Sequence, residues 1–315
     1  MVGRRKSIGF NELKRIWGEV SHVNSCFIPR KRYGLVVAQE PVRRIGFLAL
    51  LYAKLMKARL VYEIHGTYLS YLSTFDRAIA LWLLRRADYI RAVNRKILKQ
   101  LDNLGVGNVL YIPAVYVDTL LFRPVKPHDE RRKRVIFAGR LVEEKKLDKL
   151  LEIFAIVVDE SGDAELTVVG TGPLYGYLLE ITNELGISDK VKFLNKWIDQ
   201  LTLARLYNES AVVVCTSEFE GGPRFVFEAM ACETPFVSSR VGLLSEVCRD
   251  GREGFFSTVN KKEEFASRIV ALLENSKIRS EMGRRGRILV EQQFEWNKAL
   301  RRYAYAYLQI LKNSR

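Results

Sequence analysis

Paired cysteines, histidine clusters and long apolar runs are missing from this chain of 315 residues, and each absence removes a class of protein. The cysteines Cys26, Cys215, Cys232 and Cys248 stand far apart with no Cys-x-x-Cys motif. A disulfide framework is therefore not expected, and reduced thiols in a cytoplasmic protein are. Only His22, His65 and His128 could join them around a zinc ion, and none is spaced for a shared site. With no Asp-x-Asp pair and no compact carboxylate cluster, neither a cofactor nor a protein-held metal is expected. A Walker loop and a Gly-x-Ser-x-Gly elbow are also lacking, so P-loop and serine-hydrolase readings fall. No stretch reaches the roughly 18 to 20 uninterrupted apolar residues of a membrane span. The opening MVGRRKSIGFNELKR has no apolar core of the kind that directs export.

What is present is an ordinary globular composition, 48% hydrophobic and 28% charged, in a chain long enough for about two domains. The net charge of +15 is uneven: residues 1–125 carry +13 and residues 126–315 only +2. A field concentrated in one half suits an anionic partner, whether phospholipid headgroups, a phosphate-bearing substrate or nucleic acid, though an arginine-rich solubilising surface has the same composition. Nucleic acid is the least favoured, because no aromatic and basic recognition motif accompanies the charge. Phe10–Val20 reads as a short basic amphipathic helix that either packs on the domain or lies on an anionic membrane surface.

From Tyr33 onward, strand and helix patterns alternate. GLVVAQE, RLVYEIHG, DYIRAV and NVLYIPA read as strands separated by helical stretches, and a second set of six strands begins at Val135. Such alternation predicts an α/β protein of doubly wound parallel sheets covered by helices. The expected division is a first domain over 1–124, a Pro-rich charged linker over 125–133, a second domain over 134–295 and a final helix over 296–315 that crosses back to the first domain.

The chemistry concentrates in the second set. After the strand ending at Cys215 comes an acidic, Gly-rich loop, Ser217–Pro223, and then a helix opened by Pro223. Glu220 in the loop and Glu228 on the helix both fall near the crevice where open α/β sheets hold ligands. The helix start offers free N–H groups to an anion, and a carboxylate can hold a diol. Arg140 and Lys145 flank the turn after the strand at Val135, a spacing that suits a diphosphate. Gly170 and Gly172, in VVGTGP, let backbone approach a ligand closely. His65, at a strand end before Gly66, can bond a sugar hydroxyl or a phosphate oxygen. Taken singly, each could equally be a solvated charge or a turn residue.

Together these segments resemble the retaining GT-B glycosyltransferases, in particular glycosyltransferase family 4 (glycosyl transferases group 1). The matching segments are VYEIHG, ADYIRAV, YIPAVYVDTLLFRP, VIFAGRLVEEK, LTVVGTGP, VKFLNKW, SEFEGGPRFVFEAMACETPFVSS and DGREGFFS, over about residues 34–312. The resemblance implies two Rossmann-like domains facing a cleft, the N-terminal one truncated. It also implies transfer of a sugar from a UDP- or GDP-linked donor to a glycan, lipid-linked or other acceptor, with retention and without metal. Arg140 and Lys145 would bind the donor diphosphate beside Gly139, Gly170 and Gly172. Glu228 would hold the ribose, Lys196 and Trp197 would flank the base, and Glu220 with Gly221, Gly222, Pro223, Arg224, Phe225 and Val226 would meet the transferred sugar. His65, Glu220, Arg140 and Lys145 would carry the catalysis. The alternative is a non-catalytic sugar-nucleotide or glycan binder on a degenerate GT-B fold. The place is expected to be cytoplasmic, with the inner membrane face as a peripheral site. Departures from the family pattern include Lys146 and Glu233 at positions where glycine is common, and Ala114–Val115 where Asn-Gly is frequent.

Overall fold

The computed structural model describes residues 33–41, 43–66, 69 and 72–312. The expected amphipathic stretch Phe10–Val20, with His22 and Cys26, lies outside them. The first domain alternates β1 (Leu35–Gln39), α1 (Arg43–Met56), β2 (Arg59–Ile64), α2 (Thr74–Leu84), β3 (Tyr89–Ala92), α3 (Arg95–Asn103) and β4 (Val109–Tyr111). Capping residues set the helix starts: Ser73 accepts from the Asp76 amide and Asn94 from the Ile97 amide. The sheet runs β1-β2-β3-β4, all parallel, and over the described residues it advances in one direction.

The second domain contains β5 (Arg132–Ala138), α4 (Leu147–Glu160), β6 (Glu165–Val169), α5 (Tyr175–Glu184), β7 (Val191–Leu194), α6 (Gln200–Glu209), β8 (Ser210–Cys215), α7 (Arg224–Ala231), β9 (Phe236–Ser238), α8 (Gly242–Val247), β10 (Gly254–Phe256), α9 (Lys262–Glu274) and α10 (Ser276–Gln293). Its order, β10-β9-β8-β5-β6-β7, reverses between β5 and β8. There the connections diverge to opposite sides and the following loops splay apart, which opens a crevice at the strand carboxyl ends. Strand β8 is buried throughout, with Val213 and Cys215 in one apolar cluster and Val212 and Val214 in the other. That alternation is what a sheet covered on both faces requires.

The cores do not divide where the composition changes. Val115, Val117 and Phe122 pack into the core of the second domain with Tyr207 and Phe294. The segment expected as a linker, 125–133, is docked rather than free. His128 and Arg131 are buried, Arg131 donates to the carbonyl of Cys232 at 2.9 Å, and β5 already begins at Arg132. The last helix, α11 (Trp296–Lys312), follows a short pairing of Glu295 with Val117. It reaches the first domain, where Tyr307 donates to Glu63 and Leu311 lies against Gly34. Among the described residues no helix is long and apolar enough to cross a membrane.

Candidate functional site

The crevice at the reversal is built by two loops, one after β5 and one after β8. They are tied together by backbone and side-chain bonds, Glu218 N–H to Glu144 O at 2.9 Å and Thr216 Oγ1 to Lys145 O at 2.8 Å. The join brings Lys145 and Glu220, 75 residues apart in sequence, into an ion pair with little exposure on either side. Ser217 Oγ also donates to Glu220, at 3.0 Å, so the carboxylate has a set position. Arg140 is largely exposed and, among the described residues, bonds Glu144 of the same turn at 3.3 Å. Its guanidinium is free to meet a ligand.

These three residues, with Gly221, line a cavity of 350 Å³. The first domain closes the other side with Gly66, Asn94 and Lys96, and Arg240, Gly242, Ser245 and Glu246 come from the turn and helix after β9. The opposing domains make direct contact here. Asn94 donates through Nδ2 to the carbonyl of Gly221 at 3.1 Å, and a side chain added at Gly221 would run into the carbonyl of His65. Gly242, at φ 39°, likewise gives way to the carbonyls of Glu220 and Gly221. The carboxylate of Glu246, on α8, accepts from the backbone N–H groups of Arg95 and Lys96 at 2.7 and 3.2 Å. One domain thus caps a helix of the other.

Glu228 is not a surface residue of its helix. It is 6% exposed, and Arg224 Nε bonds it at 3.0 Å from one turn earlier. Burial pushes its carboxyl above the ordinary range, against the pull of the Arg224 charge. Gly170 and Gly172 serve a close backbone approach, but to the neighbouring turn. A Cβ on Gly170 would strike the carbonyl of Gly139 and one on Gly172 the backbone of Leu141, where Leu141 N–H bonds Thr171 O at 2.9 Å. Lys196 and Trp197 follow β7, two strands from the reversal; Trp197 is 87% exposed and neither lines the cavity. Gly222 packs on Val115 and Leu243. Pro223 precedes the first residues of α7, of which Arg224 stands over the ring of Tyr116, Phe225 meets Phe137 edge to face and Val226 is in the core.

His65 lies half-buried at the end of β2, its ring Nε2 3.3 Å from Glu63 and its backbone N–H bonded to Glu40 at 2.7 Å. Asn94, Lys96, Arg240 and Glu246 were not singled out from the sequence. Only Asn94 carries a local signal, a capping residue ahead of a helical pattern. The described cysteines are buried, and burial pushes the Cys215 thiol up to about 11 and that of Cys232 to about 12, so neither is a ready nucleophile.

Comparison with known proteins gives the fold and the family. The chain is 27% identical over 270 residues to N-acetyl-alpha-D-glucosaminyl L-malate synthase of Bacillus anthracis, covering 82% of this chain and 70% of that protein. It is 31% identical over 168 residues to a D-inositol 3-phosphate glycosyltransferase of an Arthrobacter strain, covering 52% of this chain and 39% of that one. In fold it is similar to Anabaena HepE in complex with UDP and glucose, with a TM-score of 0.78 at 19% identity over 88% of this chain and 78% of the other. It is also similar to sucrose-phosphate synthase of Thermosynechococcus elongatus, with a TM-score of 0.76 at 21% identity over 100% of this chain and 81% of the other. The chain spans less than half the length of several of the curated relatives it matches. Residues 118–288, more than half of the chain, match the family described as glycosyl transferases group 1, and to that family the chain belongs.

Proposed function

We propose that this protein transfers a sugar from a nucleoside-diphosphate sugar, UDP- or GDP-linked, to a hydroxyl-bearing acceptor, with retention of anomeric configuration and without a protein-held metal. The observation that carries the reading is the meeting of Arg140, Lys145 and Glu220 at the reversal of the six-stranded sheet, in a cavity closed by the first domain. Cleavage of a sugar–phosphate bond leaves growing negative charge on the diphosphate. Two cations facing that crevice, Lys145 held in an ion pair and Arg140 exposed at its mouth, stabilise that charge more in the transition state than in the ground state. Arg140 supplies a fork for two phosphate oxygens. Lys145, already held by Glu220, supplies a point charge between the leaving group and the sugar. Glu228, buried beside Arg224 and outside the lining of that cavity, would hold the ribose hydroxyls through its carboxylate.

Retention with attack on the leaving-group side requires no enzymic nucleophile, in keeping with a site whose carboxylates are tied to cations. The HepE structures to which the fold is similar hold UDP and UDP-glucose, which supports uridine as the first base to try. The acceptor class we assign is a glycan or lipid-linked hydroxyl, with the basic first domain meeting an anionic group on it or on a membrane surface.

The test is a panel of UDP- and GDP-sugars followed by calorimetry and by release of free nucleotide, slow without acceptor. Binding of one donor, with turnover that collapses in Arg140→Ala, supports the reading. Binding with no release on any acceptor mixture supports the non-catalytic binder, and no binding at all overturns both.

A further inference from the structure

We propose that Glu63 positions the imidazole of His65, with Arg91 and Tyr307 holding Glu63 in turn, an assignment that rests on the glycosyltransferase reading of the cleft. Glu63 and His65 stand two residues apart at the end of β2, so their side chains leave the sheet on the same face. Oε2 of Glu63 lies 3.3 Å from Nε2 of His65. The other oxygen is taken by Arg91, whose Nη1 donates at 2.8 Å from the position directly opposite on β3, and by the hydroxyl of Tyr307, which donates at 2.5 Å from α11.

Arg91 is itself fixed. Its Nε donates to the carbonyl of Ile112 at 2.9 Å, and its guanidinium lies 4.1 Å from the centre of the Tyr303 ring, which stacks on Tyr307. Gln39 on β1 adds a longer bond to Glu63 at 3.4 Å. Among the described residues the groups bonded to the Glu63 carboxylate are thus Gln39, His65, Arg91 and Tyr307. A second glutamate, Glu40, faces the same turn and accepts the N–H groups of His65 and Gly66 at 2.7 and 2.9 Å. One carboxylate holds the backbone of the turn and the other its ring.

The consequence is chemical. Burial alone would raise the Glu63 carboxyl, but the His65 hydrogen bond, the Arg91 charge and the Tyr307 hydroxyl outweigh it and hold the group at about 2. An ionised carboxylate only accepts, so Nε2 of His65 must carry the hydrogen and Nδ1 is the nitrogen left for a ligand. The ring therefore meets a sugar hydroxyl in one orientation and one tautomer. A buried ion pair adds little net stability over an apolar pair of similar size. Its place beside His65, which precedes the cavity-lining Gly66, is better accounted for by orientation than by stability. Through Tyr307 the same network links the cleft to the end of the chain.

The experiment removes the pair as a unit. Exchanging both charges for apolar groups, Glu63→Leu with Arg91→Met, avoids leaving one buried charge alone, while Tyr307→Phe loosens Glu63 and leaves the pair in place. The first readout is the nitrogen NMR of the histidine rings, with His65 assigned by its loss in His65→Ala. The wild type should show the Nε2–H tautomer at alkaline pH and the double exchange a mixture. An unchanged tautomer would overturn the proposal. The second readout is kcat/KM, expected to fall on the order of ten- to a hundredfold in the double exchange and not to fall further when the exchange is made in His65→Ala. An equal fall in both backgrounds would make Glu63 merely structural. Should no donor turn over, the glycosyltransferase reading fails, and the tautomer still decides the role of Glu63.

Discussion

Two glutamates of nearly equal burial, Glu63 in the four-stranded domain and Glu228 in the six-stranded one, are held in opposite ways. Glu63 is surrounded by a guanidinium, an imidazole and a phenol, and its carboxyl sits far below the ordinary value of 4.5. Among the described residues Glu228 is bonded by Arg224, and burial carries its carboxyl above that value. The difference lies in partner count rather than depth, since each hydrogen bond to the ionised form offsets part of the cost of removing it from water. A carboxylate already satisfied by the protein organises its surroundings. One with fewer charged neighbours is the one the proposed donor site would complete.

The largest expected effect tests the second half of that contrast. Glu228→Ala should weaken binding of the donor sugar nucleotide on the order of a hundredfold, from the loss of charge-assisted bonds; calorimetry with equal affinity in the variant would take Glu228 out of the site. Next comes stability against pH. Glu63 has a depressed folded value, so its contribution is present above the ordinary 4.5 and is lost as pH falls toward about 2. Glu63→Gln should therefore cost about 3 to 5 kcal/mol at pH 7 by stranding Arg91, a gap that narrows in urea titrations below pH 4.5. Glu228 is raised, so the sign reverses: its ionisation opposes folding as pH rises through its folded value. Glu228→Gln should be more stable than the wild type at neutral pH and level with it in acid, while binding donor less well.

A third carboxylate, Glu246, sits between the domains and sharpens the comparison at smaller scale. Glu246→Gln weakens the cap on α3, so about 1 to 2 kcal/mol of closure should be lost. Small-angle scattering would register this as a larger radius without unfolding. The smallest effect concerns Lys146, which takes φ 50° at the start of α4. Lys146→Gly should relieve left-handed strain and raise stability by about 0.5 to 1 kcal/mol, seen as a slightly higher Tm. A lower Tm would mean that the Lys146 contact to Glu218, at 3.4 Å, outweighs the strain.

Lys146 and Glu233 stand out in the sequence as departures from positions where glycine is common, and only the structure adds that both take positive φ, 50° and 60°. The strand and helix order was also legible, since apolar runs bounded by glycine and charge report burial locally. So were the basic turn after one strand and the acidic loop after another, though not that they pair. What escaped was the six-residue helix α8, too short to show a period, and with it Glu246. Nor was the docking of 125–133 visible, for a Pro-rich charged segment reads as solvated until buried partners such as Cys232 O are supplied.

The sequence by itself determined the two runs of alternating elements, the loop Ser217–Pro223 before its helix, and the basic turn with Arg140 and Lys145. Those properties depend on spacing along the chain, which hydrophobic period and turn chemistry express directly. Only the tertiary structure decided which charges pair. Lys145 meets Glu220 across 75 residues, Glu63 meets Arg91 through strand register and Tyr307 across 244. Electrostatic and hydrogen-bond energies fall off within a few ångströms, so the state of each group waits on neighbours that sequence distance does not name.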